Sequence, residues 1–170
     1  LLTLGWHPLN NPTFDWPSGL ALGASGWIMT LTFILSGLMM TIFASGLRLS
    51  LPRSRVTLIA IFTLVLAGLA LAGLAFTTDP TLRSTPATWH GRLHDLSFVL
   101  LGITLMPSMI LLGFAFRHSG QWRSLSSYTW GTALLAVPTF SLKGAAFYVF
   151  LLAVLIWCEV LAIRLRSMEN

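Results

Sequence analysis

Two histidines, His90 and His94, stand four residues apart in the stretch FTTDPTLRSTPATWHGRLHDLSF (76–98), which also holds Asp79 and Asp95. Histidines at that spacing share one helical face and both reach a single ion. Asp79 is the candidate third ligand, with His7, Asp15 and Ser18 as further candidates. A divalent metal such as zinc, left with an open fourth position, would hold an activated water and give a hydrolase with Asp79, His90 and His94 as its catalytic candidates. The glutamate of the wider metalloprotease motif is absent, because Gly91 follows His90. A different chemistry is axial ligation of a haem or chlorin-type tetrapyrrole by one of the two histidines. The plainest use is structural, with the rings hydrogen-bonded to Asp79, Ser97 or loop carbonyls.

The elements that carry these residues are membrane spans. With 55% hydrophobic and 9% charged residues, the chain lies outside the range of water-soluble domains. A hydrocarbon core of about 30 Å needs about 20 helical residues, and five segments qualify or nearly so: Gly26 to Leu47, Val56 to Thr77, Leu93 to Phe116, Leu125 to Leu142 and Gly144 to Ile163. The expected fold is therefore all-α, a polytopic transmembrane helix bundle forming a single domain over residues 1–170. Residues 1–25 form a cap over the outer face, and LLTLGW at their start fits the tail of a further span, which makes six in the full protein. Pro107 and Pro138 each remove a backbone donor inside a span and mark kinks.

The ten basic residues are unevenly divided. Arg48, Arg53, Arg55, Arg117, Arg123, Arg164 and Arg166 fall on one side of the spans, leaving Arg83, Arg92 and Lys143 on the other. The positive-inside rule makes the arginine-rich loops and the C-terminus cytoplasmic and puts the histidine segment outside. Basic residues scattered this way offer no stripe for phosphates, so nucleic acid is not an expected partner. Cys158 lies within an apolar run as a small buried side chain. Trp6, Trp16, Trp27 and Trp89 gather toward the outer face, and Trp122 and Trp130 toward the inner one, as interfacial belts do.

On a helix, His90, His94, Ser97, Leu101, Thr104 and Ser108 fall within about 40° of one line, a polar stripe that must face the bundle interior. Thr85-Pro86 reads as an N-cap and first helical residue for that span. Small residues recur four apart at Gly37, Thr41 and Ser45 and again at Gly68 and Ala72, faces that let helix backbones approach. Continued through Ala75, the second face leads to Asp79. Arg92 and Asp95 read as a local ion pair, and Glu159 as paired with Arg164, Arg166 or an arginine of another loop. No second carboxylate stands at mid-depth in another span, which counts against a proton or ion relay.

Gly26-Trp27 opening a span closed by Ala44-Ser45-Gly46-Leu47-Arg48, then Phe76-Thr77-Thr78-Asp79-Pro80 and His90-Gly91-Arg92-Leu93-His94-Asp95, resembles a prokaryotic integral membrane protein family, catalogued as domain of unknown function 998. The resemblance implies about six spans and supplies no reaction. It also implies a Ser-Glu pair before the Gly-Trp, where this chain reads Ser18-Gly19. The leading expectation is a small non-catalytic accessory or structural subunit that packs against other membrane subunits through its small-residue faces, among membrane lipids. The alternative is a metal-dependent hydrolase of a lipid-like substrate at the outer leaflet; the third is a pigment-binding or haem-binding subunit.

Overall fold

The computed structural model describes residues 16–80, 86–142 and 145–168. A short 3-10 helix, Pro17–Leu22, precedes α1 (Gly26–Ser50); α2 (Arg55–Gly73), α3 (Trp89–Arg117), α4 (Ser126–Ser141) and α5 (Ala145–Arg166) follow, with a 3-10 turn at Arg123–Leu125 leading into α4. Four of these helices, α1, α2, α3 and α5, are long and apolar enough to cross a membrane. The fourth expected span is shorter: α4 has 16 residues, about 24 Å at 1.5 Å per residue. The chain is thus an all-α, multi-pass membrane protein. The cap expected over residues 1–25 is described only from Trp16 onward, where Gly26 at the head of α1 lies against the Ala21 carbonyl. His7, Asp15, Trp6 and the LLTLGW segment lie outside the described residues.

Each helix packs on its neighbour in sequence, and α1 also touches α5. Phe43 meets Trp157 edge-on at 6.2 Å there, and Gly46 faces Leu165. The backbones of α1 and α2 come close because two glycines face each other. A Cβ on Gly37 would lie 2.5 Å from the Gly68 carbonyl oxygen, and one on Gly68 would lie 2.7 Å from Thr41 Oγ1. The small faces expected to receive partner helices are therefore spent on one another inside the chain. α3 is the central helix, with 50% of its most apolar stretch buried against 17% for α1.

Two helix ends depart from the sequence reading. α2 stops at Gly73 rather than near Thr77, so Asp79 does not arrive by helical spacing. Leu74, Ala75 and Phe76 donate three residues back, to Leu71, Ala72 and Gly73, which tightens the last turn. Beyond them lie two β-branched threonines and a residue preceding Pro80, all disfavoured in a helix. α3 begins at Trp89 with Thr88 as its N-cap, so Pro86 lies ahead of the helix and Thr85 falls outside the described residues.

At the opposite end, Arg164 donates from Nη2 (2.7 Å) and Nε (3.2 Å) to the Gln121 carbonyl, which sets the end of α5 beside the α3–α4 connection. This replaces the expected bond to Glu159, whose side chain is exposed on α5. Arg92 and Asp95 are likewise both exposed without an ion pair between them; solvated pairs of that kind gain little.

Candidate functional site at the α2–α3 junction

The junction is built from helix ends that satisfy each other. The first N–H groups of α3 and the last carbonyls of α2 have no partner within their own helices. Thr88 accepts from the Gly91 N–H at 3.1 Å, closing the first turn of α3. Asp79 then holds Thr88 twice, accepting its backbone N–H at Oδ2 (2.9 Å) and its hydroxyl at Oδ1 (2.6 Å). A carboxylate at a helix N-terminus is also favoured by the helix dipole.

Counting donors fixes the histidine tautomers. The single Thr88 hydroxyl proton goes to Asp79, so the 2.9 Å contact between Thr88 Oγ1 and His90 Nδ1 requires the ring to donate. His90 Nδ1–H is shared with the Thr77 carbonyl at 3.0 Å. Four residues further along α3, His94 Nδ1–H is shared between the Leu74 (3.0 Å) and Phe76 (2.9 Å) carbonyls. Both histidines thus cap the backbone that leaves α2. His94 is 5% exposed, with Phe33 of α1 edge-on to its ring at 6.3 Å.

The remaining polar stripe faces α2 as well. Ser108 donates to the Ala60 carbonyl at 2.9 Å, a buried bond between helices, and Ser97 lies so close to Gly73 that a Cβ there would collide with its hydroxyl. Gly91 has the same relation to Asp79: a Cβ at position 91 would strike the carboxylate. Asp79, His90 and His94 therefore occupy one junction, the first two linked through Thr88 and the third bonded to backbone alone. Ser18, in the 3-10 helix, has no hydrogen bond to any of them among the described residues.

Chemically, the arrangement positions backbone. Asp79 directs an oxygen to each of Thr88's two donors, and each histidine keeps only Nε2 for a further ligand. Among the described residues, no group of three His, Cys, Asp or Glu side chains is placed to hold a metal ion. A single axial ligand to a tetrapyrrole would have to be Nε2 of His90 or His94, since Nδ1 is engaged in both.

Thr88, Gly91 and the Leu74, Phe76 and Thr77 carbonyls were not singled out from the sequence. Thr85 and Thr88 are both acceptable caps, and only the position of Asp79 chooses between them. The accepting carbonyls leave no signal in side-chain identity at all. Trp16 was assigned to an interfacial belt, yet it packs between Phe98 (5.4 Å) and Phe147 (4.9 Å) in an aromatic cluster that continues to Phe140 and Phe150.

Comparison with curated proteins and with solved structures gives no match. The family model described as "Protein of unknown function (DUF998)" matches residues 2–165, and the chain belongs to that family.

Proposed function

We propose that this protein is a non-catalytic accessory or structural subunit of the prokaryotic cytoplasmic membrane that holds membrane partners against α1. The observation carrying this reading is the use made of the junction: Asp79, Thr88, His90 and His94 all bond to helix ends, work that builds a rigid scaffold. α1 is the helix left most open to its surroundings. Leu38, Met39 and Ile42 stand exposed along it, and this apolar side is the partner surface. The arginine-rich loops and the C-terminus face the cytoplasm in this reading, supported by the positive-inside rule; the contact of Arg164 with Gln121 puts the end of α5 and the α3–α4 connection at the same end of the bundle.

Photocrosslinking from Met39, with mass spectrometry of the captured chain, tests the assignment. One membrane protein captured in stoichiometric amount is expected, with His94→Ala lowering both folded yield and capture. A purified chain that carries about one transition metal, and whose hydrolytic activity disappears in His94→Ala while capture at Met39 persists, would reverse it.

A further inference from the structure

A groove of about 220 Å³ runs between α2 and α3, lined by Leu66, Leu69, Ala70, Ser97, Leu100 and Thr104. It is larger than a cavity of about 150 Å³ that takes up benzene. Its rim is lipid-facing, since Leu69 and Leu100 are 58% and 40% exposed. The two hydroxyls on its floor differ. Thr104 donates to the Leu100 carbonyl of its own helix at 2.6 Å. Ser97 is 9% exposed and, among the described residues, has no hydrogen-bond partner.

We propose that this groove binds one acyl chain of a glycerophospholipid, with the Ser97 hydroxyl donating to the ester carbonyl of that chain. Three observations select this occupant. An unpaired hydroxyl inside a membrane is costly and water is scarce there, whereas the ester carbonyl is an acceptor every glycerophospholipid carries to the edge of the hydrocarbon. Ser97 lies eight residues into α3, about 12 Å below Trp89; α3 exceeds a 30 Å core by about 14 Å, so with the overhang shared between its ends Ser97 stands about 5 Å beneath the hydrocarbon edge. Above it, exposed Phe76 and Trp89 meet edge-on at 6.2 Å, an aromatic pair at interfacial depth.

The test uses the full chain reconstituted in vesicles of phosphatidylethanolamine and phosphatidylglycerol. The probe is a phosphatidylethanolamine carrying a diazirine on one acyl chain. Crosslinks are mapped by mass spectrometry on residues 66–70 and 97–104, with the open side of α1 at residues 38–42 as the internal reference. The expected result is labelling of the groove at least fivefold above the α1 reference. Ser97→Ala should lower it to the reference level while leaving α1 labelling unchanged. Ala70→Phe, which puts a ring into the groove and leaves the Ser97 hydroxyl in the chain, should do the same. Uniform labelling of both surfaces, groove labelling that survives Ser97→Ala, or crosslinking of the groove to a copurifying protein in place of lipid would each overturn the proposal.

Discussion

Asp79 and Thr88, nine residues apart, are joined by two hydrogen bonds, one to the backbone and one to the hydroxyl. The carboxylate fixes the residue that caps α3 while anchored to the chain leaving α2. Hydrogen bonds to a charged group contribute about 1.5–3 kcal/mol each where buried, and this junction is partly open to solvent. Asp79→Ala should therefore cost about 1–2 kcal/mol. Unfolding in mixed detergent micelles measures it, and a loss below a few tenths would show the grip to be incidental.

Gly91→Ala should be destabilising for a reason that depends on Asp79. Its Cβ displaces the carboxylate, so the cost should shrink markedly when Asp79→Ala is already present. A double-mutant cycle reads this directly. Simple additivity would mean that Gly91 serves some other constraint.

His94→Ala leaves the Leu74 and Phe76 carbonyls without their donor in a buried position, for which about 1–3 kcal/mol is expected. Ser108→Ala, which removes only the bond to Ala60, should cost about 0.6 kcal/mol, as hydrogen bonds between membrane helices average. Parallel unfolding of both variants checks the ordering. Equal losses would contradict a capping role for His94.

Gly37→Val should break the α1–α2 contact, since even a Cβ at Gly37 meets the Ala72 nitrogen at 2.6 Å and the Gly68 oxygen at 2.5 Å. Loss of the folded, monodisperse species on size-exclusion chromatography is the expected outcome. Gly131→Val, at a glycine of α4 with nothing within 4 Å, should elute as the parent does.

For orientation, Arg53→Cys and Arg83→Cys, each in a Cys158→Ser background, are labelled in intact cells with a membrane-impermeant thiol reagent. Reaction at position 83 and not at 53 is expected. The reverse pattern would invert the assignment.

Much of the helical layout was legible because span length and small-residue spacing are properties of side chains. Gly37 and Gly68 were visible as close-approach positions, and His90 through Ser108 as one polar stripe. What could not be read was the use made of them. Whether a small face meets another chain or its own neighbour depends on tertiary placement, and Gly37 found Gly68. The early stop of α2 has local support in Thr77, Thr78 and the residue before Pro80, but the bonds from the rings on α3 to the Leu74, Phe76 and Thr77 carbonyls are a relation between backbone and distant side chain that no local pattern encodes. The Arg92–Asp95 pair was inferred from spacing alone, and at a solvated surface spacing does not compel contact.

The unequal helices bear on the surrounding bilayer. α3 runs about 44 Å and its neighbour α4 about 24 Å. Were α4 to cross the membrane as its sequence leads one to expect, lipid beside it would have to thin by about 6 Å from a typical 30 Å core, and at a fraction of a kcal/mol per ångström of mismatch that flank would draw shorter-chain lipids.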